Sequence, residues 1–224
     1  MAQIFLVRHG QASFGAENYD QLSELGRQQA RWLGEYFVAR GTRFDRVLAG
    51  TLVRQQDTAR ELLGAMSEPD RPILTHAGLD EYPGEALYAA YTGGADPRVQ
   101  QRSDYKGYWR TFRAAMEAWA DDTLVGMPES WAQFGARMQS AIAVATEGLG
   151  RDDAVLVVSS GGAIGRYVSM VTRAPGRTAI EFNLQFRNTG FCELVSVGDA
   201  MRLISFNSLP HLELRDRRHA VTFA

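Results

Sequence analysis

Hydrophobic and polar positions alternate along the chain in two rhythms. Short apolar runs stand at Ile4 to Val7, in "DRVLAG" around Val47 and Leu48, in "PILTHAG" after Pro72, and at Val155 to Val158. Brief apolar runs bounded by turn formers predict buried strands. Between them the spacing changes to three and four residues. Leu22, Leu25, Gln29, Leu33, Tyr36 and Phe37 mark one face of a helix that Ser23 is placed to cap and that ends near Gly41. Thr51 is placed to cap a second helix, running through Arg54 to Leu63. Trp131, Phe134, Met138, Ala141, Ile142 and Ala145 predict a third, for which Pro128 suits the start. A fourth runs from about Gly162 to Val171. Phe191 to Val197 and Met201 to Phe206 predict a closing strand pair that turns at Gly198-Asp199.

Alternating strands and helices predict an α/β fold, a three-layer α/β/α sandwich on a mostly parallel sheet. Residues 80 to 127 break the rhythm, being rich in Tyr, Gly and charge. They read as a helical and loop insertion, a lid over the carboxyl-terminal rim of the sheet. The expected organisation is one domain over residues 1–224 that includes this insertion.

Composition narrows the function classes. The 24 basic and 26 acidic residues give a net charge of -2, so no nucleic-acid footprint is expected. The apolar runs are strand-sized, so no membrane partner is expected, and "MAQIFLVRHG" enters a strand without signal-peptide character. A cytoplasmic location is the expectation. The single cysteine, Cys192, excludes an internal disulfide and any cysteine-rich metal site. Lys106 is the only lysine and lies in no Gly-rich loop, which excludes a P-loop.

In open α/β sheets, ligands gather beyond the carboxyl ends of the strands. The first predicted strand is followed there by Arg8, His9, Gly10 and Gln11, and the second by a helix whose first turn carries Arg54. Asp80, Glu81 and Glu85 follow the third, and Ser159, Ser160, Gly161 and Gly162 the fourth. Singly, each has an ordinary structural explanation. Together they make a phosphoryl site. Two guanidinium groups can hold a phosphoryl group, and amides at a helix start add positive potential. A neutral imidazole can attack phosphorus while a carboxylic acid protonates the leaving oxygen. Arginines then supply the charge stabilisation that a metal would otherwise give, so neither metal nor cofactor is expected. Ser160 is not a serine-hydrolase nucleophile, because its context is not G-x-S-x-G.

These stretches also carry a family pattern. "FLVRHGQAS" resembles L-V-R-H-G, "LSELGRQQA" resembles L-T-x-x-G-x-x-Q-A, and "AGTLVRQQDTA" is similar to S-x-L-x-R-x-x-Q-T-A. "GLDEYPGEAL" is similar to an L-x-E segment, "VLVVSSGGAIG" to V-x-V-V-S-H-G-G, and "FNSLPHLEL" to a carboxyl-terminal strand ending. In this order they resemble the histidine phosphatase superfamily, which includes the cofactor-dependent phosphoglycerate mutases.

The resemblance implies His9 as the phosphorylated nucleophile, Arg8 and Arg54 as phosphate clamps, and Glu81 as general acid. Spacing leaves Asp80 and Glu85 open as alternative donors. Two positions depart from the pattern. Ser160 stands where the family carries a second histidine, and Gly15 where it often carries a phosphate-contacting Asn. Ser13 or Asn18 is left for that second role, and Ser160 and Gly161 are expected to contact substrate. His211 is read as structural. The implied activity is a metal-independent phosphatase acting on a small phosphomonoester, weakened by Ser160. The alternatives are a phosphate mutase or a non-catalytic phosphate-ligand binder. Tyr82, Tyr88, Tyr91, Tyr105, Tyr108 and Trp109 could line the pocket or only pack the insertion.

Overall fold

The first strand, β1 (Gln3–Arg8), sends Ile4 and Leu6 into one core and Phe5 and Val7 into another. All four are fully buried, as expected for a strand covered on both faces. The computed structural model describes residues 1–13, 20–198 and 200–223. After β1 come α1 (Glu24–Arg40), β2 (Arg46–Ala49), α2 (Val53–Ala65), β3 (Leu74–Thr75) and a 3-10 turn at Ala77–Leu79. Then follow α3 (Gly84–Thr92), α4 (Pro97–Ser103), α5 (Tyr105–Ala120), α6 (Trp131–Thr146), β4 (Ala154–Ser159) and α7 (Gly161–Val171). The last named elements are α8 (Gly176–Gln185), β5 (Phe191–Val197) and β6 (Ala200–Ser208).

The six strands form one mixed sheet in the order β3-β2-β4-β1-β5-β6. The first four are mutually parallel, and β5 and β6 add an antiparallel edge. Residues of α1 and α2 pack with Phe5 and Val7 on one face. Residues of α3, α5, α6, α7 and α8 pack with Ile4 and Leu6 on the other. This is the α/β layering that the alternating pattern predicts. Among the described residues, no helix is long and apolar enough to cross a membrane.

Several boundaries differ for local reasons. β3 is only two residues long, an edge strand that follows the N–H-less Pro72 and stops where His76 accepts the Gly78 amide and caps the 3-10 turn. The α6 helix starts after Ser130 rather than at Pro128, because Ser130 and Gln133 form a reciprocal capping box. The hairpin turn keeps Gly198 at a positive φ of 59°, while Asp199 lies outside the described residues.

The start of α1 is pressed against the segment that leaves β1. Ser23 caps this helix by accepting the Gly26 amide at 3.0 Å. A Cβ on Gly26 would overlap the Gln11 carbonyl oxygen, and one on Gly10 would overlap that of Gly26. Gly64 in α2 faces open space instead. The two glycines therefore predict opposite outcomes on replacement by alanine. Gly64→Ala should raise the free energy of urea unfolding by about 0.5–1 kcal/mol, through lower backbone entropy in the unfolded chain. Gly26→Ala should lower it by about 1–3 kcal/mol despite the better helix former, because helix and loop must separate.

Candidate active site

Strand register brings three strand ends together. Arg8 pairs with Ser159 across β1 and β4, and Val158 pairs with Ala49 across β4 and β2. The next residues, His9, Ser160 and Gly50, therefore leave the sheet side by side. The His9 amide donates to the Ser159 carbonyl at 2.9 Å, and the Gly50 amide to that of Val158 at 3.2 Å.

His9 is 4% exposed. Its Nδ1 lies 2.7 Å from the Gly10 carbonyl oxygen, which can only accept, so Nδ1 carries the proton. Its Nε2 receives the Arg54 Nε–H at 3.2 Å, so Nε2 presents a lone pair. Burial lowers the His9 pKa well below its usual value, and the Arg54 and Arg8 charges push it the same way against the Gly10 carbonyl. The ring is neutral at pH 7. On the other side of β1's end, Arg8 Nη1 donates to the Phe186 carbonyl.

Arg54 is held by a residue that sequence reasoning did not single out. Asp20 Oδ1 takes Arg54 Nη1 at 2.8 Å, and its Oδ2 accepts the Val53 amide at 2.9 Å. It thus caps α2 from outside the helix, where Leu52 at the N-cap has no side chain to offer. Thr51 does not cap α2 as expected. Its amide and hydroxyl donate to Asp80, at 2.6 and 2.5 Å.

The three carboxylates part company. Asp80 is engaged by Thr51, and Glu85 pairs with Arg98 at the surface. Glu81 alone of the three turns to α7, where Oε2 accepts the Gly162 amide at 2.9 Å and Oε1 that of Tyr82 at 3.2 Å. Desolvation raises the Glu81 pKa, outweighing the Gly162 amide, Arg54, the Tyr82 amide and Arg8, which all lower it. A Cβ on Gly162 would overlap Glu81 Oε1, and one on Gly161 would meet Asn183 Oδ1 at 2.9 Å. Asn183, a second residue not anticipated, donates to the Tyr82 hydroxyl at 3.0 Å.

Ser160, the N-cap residue of α7, is fully buried. Its Oγ accepts a hydrogen bond from Gln55 Nε2 at 2.8 Å, so contact with a substrate would require this loop to move. Ser13 is half-buried and donates its amide to the Gln21 carbonyl at 2.7 Å. Asn18 and Gly15 lie outside the described residues. His211 is buried, with Nε2 2.9 Å from Oγ1 of Thr189, whose amide in turn meets the Arg8 and His9 carbonyls, and burial lowers its pKa to about 3. Tyr88 is buried in the core and stacks on Tyr108, while Tyr91 and Tyr105 are exposed. Of these aromatics Tyr82 reaches the rim, its ring against Gly162. Among the described residues, no group of three or more His, Cys, Asp or Glu side chains is placed to hold a metal ion.

A family model described as histidine phosphatase superfamily (branch 1) matches residues 4–209. A 2,3-bisphosphoglycerate-dependent phosphoglycerate mutase from Methylobacterium sp. (strain 4-46) is 33% identical over 84 residues. That match covers 35% of this chain and 40% of the relative, so the matched stretch spans well under two thirds of the curated protein. Among solved structures, Bacillus stearothermophilus YhfR superposes with a TM-score of 0.72 at 17% identity, covering 95% of this chain and 100% of that one. A phosphoserine phosphatase from Entamoeba histolytica, solved with 3-phosphoglyceric acid, gives 0.68 at 20% identity with the same coverage. At these identities the structural matches show a shared fold.

The Asp20 bridge has a measurable consequence. Asp20→Ala should lower unfolding stability by about 1–2 kcal/mol, the usual cost of a lost helix cap, read from urea denaturation. Asp20→Asn, which keeps an acceptor for the Val53 amide but loses the carboxylate oxygen on Arg54, should recover only part of it. Equal losses in the two variants would rule out the capping role.

Proposed function

Because the chain belongs to the histidine phosphatase superfamily (branch 1), we propose that it is a metal-independent phosphomonoester phosphatase working through a phosphohistidine on His9. One observation carries the reading. His9 is held neutral with its proton on Nδ1, so the Nε2 lone pair lies beside a guanidinium suited to bind phosphate oxygens.

In the first step Nε2 attacks phosphorus and the bond to the ester oxygen breaks. The departing oxygen takes the Glu81 proton, and Arg8 and Arg54 neutralise charge on the phosphoryl oxygens. In the second step water attacks the phosphoryl group, the P–N bond breaks, and the water proton passes to the Glu81 carboxylate. Inorganic phosphate leaves, and His9 and Glu81 return to their starting forms. Gly161 and the start of α7 add positive potential to the phosphate site. Residues 80–127 are the lid under which a small phosphorylated substrate is selected, and Ser13 and Asn18 are the remaining candidates for phosphate contacts.

Ser160 is read as standing at the family's second histidine. The site then lacks one imidazole donor, which weakens turnover on the order of 10²–10³-fold. A hydroxyl enclosed against Gln55 does not replace that donor directly.

Hydrolysis of p-nitrophenyl phosphate and a panel of alkyl phosphates tests the reading. His9→Ala should abolish turnover, and acid-labile, base-stable label should accumulate on the wild type alone. Wild-type turnover no greater than that of His9→Ala, with phosphate still bound, would instead mark a binding protein. Transfer to an added alcohol in preference to water would mark a mutase. Glu81→Gln should slow alkyl phosphates more than the aryl ester, whose leaving group needs no proton.

The pH dependence of kcat/KM follows from the two shifts. His9 must be neutral, and its lowered pKa moves the acidic limb below the ordinary histidine range. Glu81 must be protonated, and its raised pKa moves the alkaline limb above the ordinary carboxylate range. An acidic limb at the unperturbed histidine pKa, near about 6.5, would contradict the buried neutral ring.

A further inference from the structure

We propose that Gln55 is a positioning residue for the proton-transfer step, because its carboxamide closes a ring of contacts around the Glu81 carboxyl group. The inference rests on the phosphohistidine reading and its assignment of Glu81 as the acid.

Gln55 lies next to Arg54 in α2 and is fully buried. Its Nε2 donates twice, to Ser160 Oγ at 2.8 Å and to the Leu79 carbonyl at 3.1 Å. The carbonyl can only accept, so the amide orientation is fixed with nitrogen on this side. Leu79 precedes Glu81 by two residues, and Ser160 precedes Gly162 by two. Glu81 Oε2 and the Gly162 amide then meet at 2.9 Å. The contacts form a closed circuit: Gln55, Leu79 to Glu81, Gly162 back to Ser160, and Gln55 again. Opening it at Gln55 cuts α2 from both sides and leaves them joined by the Ser159 Oγ–Leu79 carbonyl bond at 2.6 Å and the Glu81–Gly162 bond. The acid can then drift from α7 and from the leaving oxygen.

Stability alone does not account for this side chain. Gln55 Oε1 is buried without a hydrogen-bond partner among the described residues, an arrangement that costs free energy. The Leu79 carbonyl is already satisfied by Ser159 Oγ at 2.6 Å, so Gln55 is not needed to pair it. Gly50 makes room for the carboxamide, since a Cβ there would overlap Oε1. An apolar side chain of similar size would pack here without the orphaned oxygen. The polar head therefore serves what it holds in place.

The test compares Gln55→Leu and Gln55→Met with wild type on p-nitrophenyl phosphate and on alkyl phosphates. A poor alkoxide leaving group needs the acid, whereas p-nitrophenolate does not. Both variants should still unfold cooperatively, with a midpoint lowered by no more than the loss of the Ser160 hydrogen bond. On alkyl phosphates they should lose on the order of tenfold or more in kcat/KM beyond any loss on the aryl ester, the scale of a misplaced catalytic group. Ser160→Ala opens the circuit at its other end and should give the same selective loss, with the double variant no worse than either single one. Equal losses on both substrate classes, or no loss, would overturn the proposal. Glu81→Gln separates the two levels. If it fails to discriminate between leaving groups, the acid assignment itself is wrong. If it discriminates and the Gln55 variants do not, the positioning role alone falls.

Discussion

A neutral imidazole buried against the Arg54 guanidinium is the arrangement on which the rest of the site depends. Removal from water lowers the His9 pKa most, and Arg54 and Arg8 add to it, so Nε2 stays unprotonated and accepts the Arg54 Nε–H. The tautomer still has to be chosen, and the Gly10 carbonyl chooses it. Gly10 in turn lies where a Cβ would overlap Gly26 at the start of α1. The orientation of the His9 ring is thus set by how closely a helix start approaches a strand end. Gln29 of α1 fixes the same loop from a second side, accepting the Gln11 amide at 2.9 Å while donating to the Ala220 carbonyl at 2.7 Å. Asn188 reaches the His9 carbonyl at 3.3 Å. Backbone and carboxyl-terminal segment together hold the ring still.

The same low-polarity setting acts on Glu81 with the opposite sign. Burial disfavours a charged form, which for histidine means losing a proton and for glutamate keeping one. Both residues are therefore shifted toward their uncharged forms, while the arginines carry the charge. This differs from a pair of carboxylates split by mutual repulsion, because here one cause serves both groups. The cations oppose the shift at Glu81 and reinforce it at His9.

Much of this was legible in the sequence where the signals are local. Apolar runs located the strands, Ser23 and Gly41 bounded α1, and the order of strand ends grouped Arg8, His9, Arg54, Glu81 and Gly161 on one rim. Contacts between distant segments were not legible. Thr51 satisfies every local rule for a cap, yet Asp20 takes the amide at the start of α2 and Asp80 takes Thr51. Among Asp80, Glu81 and Glu85, spacing had no means of choosing. The choice comes from the extended backbone at Asp80, with φ -70° and ψ 154°, which turns successive side chains to opposite sides. Asp80 then meets β2's loop and Glu81 meets α7.

Ser160 shows why one substitution in a motif is not a unit of function. On the reading that it stands at a histidine position, the simple expectation is a hole that an imidazole could refill. The structure has no hole there. Gln55 Nε2 lies 2.8 Å from Ser160 Oγ, both side chains are fully buried, and Gly50 admits the remainder of the carboxamide. An imidazole at position 160 would compete with Gln55 for the same space, in an interior where added volume without removal elsewhere is destabilising. Ser160, Gln55 and Gly50 therefore make one packing solution, and a histidine at position 160 becomes compatible only with a smaller residue at position 55. Gln55 thereby links Arg54's helix to the segment bearing Glu81 through the Leu79 carbonyl. The fourth strand end is tied to that segment as well, through Ser159 Oγ on the Leu79 carbonyl and the Gly162 amide on Glu81.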